Sequence, residues 1–105
     1  MNEKIQSIEN QAEKIPNERE VLNVFEDIIE GEFDIVRMLE DDEGLYMLDV
    51  KTLDQDGDMV QYIYTRAGSY KEGSSLETKI DVVFYNGEFP CGGHSVKKYT
   101  GGVWE

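Results

Sequence analysis

Residues 17–31 read NEREVLNVFEDIIEG and have the apolar spacing of an amphipathic helix. Val21, Phe25 and Ile28 follow one another at intervals of four and three residues, which places them on one face of a helix. Asn17 has the side chain of an N-cap residue, and the chain has no proline or glycine between Asn17 and Gly31 to interrupt the pattern. We therefore predict a helix over residues 17–30.

The flanking residues support both ends of this helix. Glu20 follows Asn17 at the spacing of a capping box, and Gly31 lies where a left-handed C-terminal cap is expected. A narrower apolar stripe comes before it and predicts a helix over residues 3–14 that ends at Pro16 and docks loosely. The stripe consists of Ile5, Ile8, Ala12 and Ile15.

After Gly31 the apolar residues alternate with polar ones, as they do in half-buried strands. Asp56-Gly57 and Asn86-Gly87 are typical of tight hairpin turns. Strands are predicted over residues 33–40, 45–53, 59–66, 79–85, 94–99 and 103–104. The chain is thus predicted to be one α+β domain over residues 1–105. Two N-terminal helices would precede an antiparallel meander sheet of five or six strands, with the second helix packed on one sheet face.

The charge of the chain is strongly negative and unevenly distributed. Its 105 residues carry a formal charge of −13, and residues 1–58 hold 18 acids against 5 bases. Residues 59–105 hold 5 acids and 5 bases, so the whole imbalance lies in the first part. Because nucleic acids and anionic lipids bind through Lys and Arg, direct binding to either is not expected. The acid either keeps the protein soluble or faces a basic protein partner.

Two acidic segments are candidates for contact with such a partner. One is the outer face of the helix at 17–30, and the other is the turn between the first two strands. Together they supply Glu18, Glu26, Asp27, Glu30, Glu40, Asp41, Asp42 and Glu43. A negative helix face can imitate the charge spacing of a nucleic-acid backbone and occupy a basic groove, with an association rate that falls as salt rises.

The strand at 59–66 offers an aromatic surface, depending on which of its faces meets the helix. Tyr62, Tyr64 and Arg66 share one face, and Met59 and Ile63 lie on the other. If the Ile63 face packs against the helix, the tyrosine face is open and carries residue types enriched in binding hot spots. In the alternative, the tyrosines form the core and direct their hydroxyl groups to its rim.

Cys91 and His94 have half the ligand pattern of a zinc site, but the chain has no other Cys or His. We expect no metal there and no Cys–His catalysis, since no third group is evident to orient the imidazole. Asp54, Asp56 and Asp58 alternate as in a calcium loop, yet the Gly and Glu of an EF-hand are missing at the required spacing. An acidic hairpin turn explains them. Phosphate-binding and hydrolase motifs are also absent.

The sequence therefore predicts a small acidic protein-binding module without enzymatic activity, cofactor or metal. The leading hypothesis is an inhibitor, or an immunity or anti-defence protein, that binds a basic partner through an acidic helix face. One alternative is a ligand-binding or catalytic domain with a pocket between sheet and helix near Cys91 and His94. Another is a homo-oligomeric structural subunit. The polar N-terminal residues and the single thiol favour the cytoplasm.

Overall fold

The computed structural model describes residues 15–68 and 77–105, which form a helix and a six-stranded antiparallel sheet. The elements are α1 (Glu18–Ile28), β1 (Asp34–Asp41), β2 (Gly44–Leu53), β3 (Met59–Thr65), β4 (Thr78–Asn86), β5 (Phe89–Thr100) and β6 (Val103–Trp104). The other predicted helix, at 3–14, lies outside the described residues. Within the described ranges, no helix is long and apolar enough to cross a membrane.

Helix α1 begins with the predicted capping box. The Asn17 side chain accepts a hydrogen bond from the backbone N–H of Glu20 at 2.8 Å, and the Glu20 carboxylate accepts one from the Asn17 N–H at 3.5 Å. The predicted glycine cap at the other end is wrong. Ile29 is the C-cap in an extended conformation, and its N–H donates to the Phe25 carbonyl at 2.9 Å. Gly31, with φ of 91°, lies two residues further on.

The sheet follows the order of the sequence, from β1 to β6, and every neighbouring pair is antiparallel. The predicted antiparallel meander is thus confirmed, with six strands. Gly57 and Gly87 take the left-handed φ values, 87° and 64°, that the predicted turns require. Strand β5 begins at Phe89 rather than at residue 94, so the glycine-rich segment before His94 is a paired strand and not a loop.

The core lies between α1 and one face of the sheet, which we call the helix-side face. Helix α1 and its C-cap contribute Val21, Phe25 and Ile29, all buried. They contact buried residues of β2, β3 and β4, namely Leu45, Leu48, Val50, Tyr64 and Ile80. The helix thus covers the middle of the sheet. Edge strand β1 stays largely exposed, with Ile35 and Val36 about half accessible to solvent.

Candidate functional site

The predicted acidic residues form two separate groups. Glu26, Asp27 and Glu30 are exposed at the C-terminal end of α1, and Glu30 lies beside Thr52 and Asp54, where β2 ends. Residues 40–43 form the turn before β2 begins. Because the ten residues of β2 separate these two ends, the groups are about 30 Å apart at the usual rise per residue. They cannot form one continuous surface.

The remaining predicted helix acid, Glu18, is the first residue of α1 and is exposed. Helix α1 has eleven residues, which separate Glu18 from the C-terminal end of the helix. Glu18 therefore lies at the opposite end of the helix from Glu30. Glu18 is therefore not part of the acidic group that Glu26, Asp27 and Glu30 form at the C-terminal end of α1.

Two acids of the β1–β2 turn, Asp41 and Glu43, form ion pairs with Arg66 inside the molecule. The buried guanidinium of Arg66 donates two hydrogen bonds to Asp41, at 2.6 and 3.0 Å, and Glu43 lies 3.7 Å from the same group. Hydrogen bonding from Arg66 lowers the pKa of the Asp41 carboxyl. Arg66 also donates to the Gly44 carbonyl at 3.3 Å. This arginine therefore fixes the turn to the end of β3 and is not displayed to a partner.

The tyrosine face of β3 is the helix-side face, so the tyrosines pack in the core as the alternative predicted. The hydroxyl group of Tyr64 is not directed to the rim, because it is buried without a hydrogen-bond partner. Tyr64 is completely buried, and burial raises the pKa of its hydroxyl. Tyr62 is half-buried, and its ring lies 6.4 Å from that of Phe25. Tyr62, Tyr64 and Arg66 do not form an open surface, because α1 packs on the two tyrosines and the ion pair with Asp41 holds Arg66.

A groove lies beside the C-terminal end of α1, between the helix and the end of the sheet, and we call it the C-terminal groove. It has a volume of about 420 Å³, and its lining includes Ile28, Glu30, Leu53, Asp54, Tyr62 and Phe84. Two of its apolar side chains are accessible to solvent, Leu53 at 66% and Phe84 at 40%. A smaller groove of about 330 Å³ shares Glu30 and Leu53 with it and adds Glu32, Asp34 and Lys51.

Acidic residues outnumber basic ones at this end of the molecule, where Lys51 is the basic residue among the side chains that line the two grooves. The last turn of α1 contains no basic residue but holds Glu26 and Asp27. The carbonyl end of a helix already carries a partial negative charge, so acids there are unfavourable for the isolated fold. Glu30 and Asp54 on the groove extend the same field.

The Cys91 and His94 pair is not part of this groove. Both residues are exposed on strand β5, and neither lines the C-terminal groove. His94 lies opposite Val82 and its ring is 5.9 Å from that of Phe84, which does line the groove. Among the described residues, neither belongs to a group of three possible metal ligands.

The one such group within the described ranges is formed by Asp54, Asp56 and Asp58, all exposed in the β2–β3 turn. The Asp54 carboxylate accepts hydrogen bonds from the backbone N–H groups of Asp56 and Asp58, both at 2.9 Å. These bonds are typical of a side chain that stabilises its own turn. The arrangement fits the acidic hairpin turn expected from the sequence.

A buried carboxylate, which is not among the site residues predicted from the sequence, lies on the sheet face opposite α1. Asp49 of β2 accepts a hydrogen bond from Arg37 at 3.0 Å and a longer one from Gln61 at 3.5 Å, and Gln61 in turn accepts one from Tyr85 at 2.7 Å. The second Asp49 oxygen has no partner. Burial raises the pKa of Asp49, and Arg37 partly opposes this. The signal was an acid within the otherwise apolar run Leu45–Val50.

The raised pKa of Asp49 predicts how stability depends on pH. At pH values between the ordinary pKa of 3.8 and the raised pKa, Asp49 binds more protons in the folded state than in the unfolded state. The contribution of Asp49 to the free energy of unfolding therefore falls as pH rises. Asp49→Asn removes the titration. We expect the free energy of unfolding of the variant to increase relative to wild type as pH rises from 4 to 8, as measured by urea titration across that range.

The control for this prediction is Asp34→Asn, which removes one acid from an exposed position at the start of β1. It reports the effect of net charge without the effect of burial. If the two variants show the same pH dependence relative to wild type, the buried environment of Asp49 does not account for it.

Fold and site together define a class: an α+β protein with a helix on an antiparallel meander sheet and an acidic, partly apolar groove at the helix C-terminus. Comparison with protein families, with curated proteins and with solved structures finds no match to this chain.

Proposed function

We propose that this chain is a non-enzymatic binding protein whose partner is a basic protein surface. The observation that carries the proposal is the group of exposed acids, Glu26, Asp27 and Glu30, at the carbonyl end of α1. The C-terminal end of a helix carries a partial negative charge, so acidic side chains there lower the stability of the fold. Groups that are unfavourable for the fold but favourable for a ligand are typical of functional surfaces.

The charge of the whole chain supports the same class of partner. A net charge of −13 steers a basic protein toward the surface and repels nucleic acid, anionic lipid and further copies of the chain. Occupation of a basic groove that otherwise holds nucleic acid would make the chain an inhibitor of the immunity or anti-defence type. The exposed thiol of Cys91 fits a reducing cytoplasm as the place of action.

Charge reversal tests the proposal. The double substitution Glu26→Lys with Glu30→Lys reverses the proposed surface, and Glu40→Lys with Asp42→Lys makes the same charge change in the turn about 30 Å away. Affinity capture from cells that express the chain should retain one stoichiometric basic protein on wild type and on the turn variant. The helix variant should lose it, and rising salt should elute it from wild type.

The purified partner then gives a quantitative measurement. We expect the helix variant to weaken binding by about 100-fold at low salt, since close charge pairs across an interface contribute several kcal/mol. Equal affinity for wild type and the helix variant, or affinity independent of salt, would contradict the proposal. Loss of binding in the turn variant alone would move the contact surface to residues 40–43.

A further inference from the structure

We propose that the C-terminal groove binds a segment of the partner in which an arginine or lysine lies beside a large apolar side chain. This inference rests on the proposed function and deepens it, because it names the site and the chemistry of the segment. The apolar side chain would occupy the floor of the groove and the cation its acidic rim.

The floor of the groove is apolar and accessible. Leu53 is 66% exposed and Phe84 40% exposed, and between them the lining includes Val60 and the half-buried Tyr62. Removal of such apolar side chains from water by a partner makes the free energy of binding more favourable. Phe84 shares the helix-side face with Val60 and Tyr62, and Leu53 lines the groove at the end of β2.

The rim of the groove selects the charge of the occupant. Glu30 and Asp54 lie on the C-terminal groove, and the smaller groove continues the rim with Glu32 and Asp34. Lys51 is the one basic residue among the side chains that line either groove. The carbonyl end of α1 adds to the negative field. An arginine is especially well suited, because its guanidinium can donate to two carboxylates at once.

The same charge argument disfavours two other occupants. A second copy of the chain brings a charge of −13 to a negative rim. Residues 1–14 of this chain hold three acids and two bases, so they offer no positive excess to it either. Charge complementarity therefore favours a basic partner over the chain itself.

The experiment is a selection of phage-displayed random peptides on the immobilised full chain, followed by affinity measurements on a synthetic copy of the most enriched peptide. Fluorescence anisotropy would compare wild type with Leu53→Ser and with Glu30→Lys. The matched controls are Val103→Ser, which replaces an apolar residue 58% exposed on β6, and Asp42→Lys in the distant turn. Circular dichroism would show that each variant is folded.

We expect enriched peptides to combine arginine or lysine with a neighbouring leucine, isoleucine, phenylalanine or methionine. Leu53→Ser and Glu30→Lys should each weaken binding by about tenfold, and the two controls should stay within about twofold of wild type. No enrichment, or enriched peptides without a cation, would overturn the inference.

The variants separate this inference from the proposed function. Sensitivity to Glu30→Lys and to salt without sensitivity to Leu53→Ser would remove the groove as the anchor and leave the acidic helix surface intact. Insensitivity to both substitutions would contradict the groove and the acidic surface together. Self-association in sedimentation equilibrium that Leu53→Ser abolishes would assign the groove to a second copy and overturn the basic segment.

Discussion

Replacing Phe25 with alanine is expected to lower the free energy of unfolding by about 3–5 kcal/mol, the usual cost of a cavity left by a fully buried phenylalanine. Phe25 is completely buried, and its ring lies 6.0 Å from Phe33 and 6.4 Å from Tyr62. It is the side chain that joins α1, the segment before β1 and strand β3. Its removal leaves a void between the helix and the sheet.

Urea titration followed by circular dichroism measures this effect. Phe89→Ala is the control, because Phe89 is 75% exposed, and its replacement should change stability by no more than about 0.5 kcal/mol. Where the alanine variant does not fold at all, Phe25→Leu provides a milder variant with a loss of about 1 kcal/mol. Equal stabilities for the Phe25 and Phe89 alanine variants would show that α1 does not anchor the core.

The second large effect is expected from Gly93→Ala, which should destabilise the fold by about 1–3 kcal/mol through overpacking. A Cβ atom at position 93 would overlap the carbonyl oxygen of Val82 in the neighbouring strand. Backbone cannot yield as a flexible side chain can, so β4 and β5 would have to separate locally. The glycine therefore permits a close approach of two strands.

Gly92→Ala is the matched control, since a Cβ there meets no atom within 4 Å. The two variants differ by one position in the same strand and have the same composition. Gly92→Ala should be neutral or slightly stabilising, because alanine restricts the unfolded chain. Thermal and urea unfolding would compare the free energy of unfolding of the two variants. Equal stability of Gly93→Ala and Gly92→Ala would show that β4 and β5 do not approach closely at Gly93.

The parts of the fold that sequence could predict are those determined locally. The capping box of Asn17 and Glu20 depends on four consecutive residues, and the turns at Gly57 and Gly87 on two or three. Strand bounds followed from alternation in the same way. The start of β5 did not, because Pro90, Gly92 and Gly93 have low strand propensity and are held by pairing with β4.

The face that α1 covers could not be predicted, because both faces of β3 carry apolar residues. Met59 and Ile63 would have formed an acceptable core on one side, as Tyr62 and Tyr64 do on the other. The choice depends on contacts distant in sequence, such as the packing of Phe25 against Tyr62. Period-two patterning fixes which residues share a face but not which face is buried.

The candidate site was predictable in composition but not in geometry. The acids of α1 and of the β1–β2 turn were identified, yet their separation depends on the direction and length of β2. Two accessible apolar residues of the groove, Leu53 and Phe84, are 31 positions apart in the chain and line one groove only after the sheet has formed. Arg66 was assigned to a surface because its ion pair with Asp41 spans 25 residues.

The order of the strands also bears on how the chain folds. Each strand of the sheet pairs with its neighbours in the sequence, so most hydrogen-bonded contacts close short loops. Proteins rich in such local contacts fold faster than those whose strands cross over one another. Contacts distant in sequence include those of α1, whose Val21 and Phe25 belong to the same buried cluster as Tyr64 and Ile80. We therefore expect neighbouring strands to pair before the helix docks on the sheet.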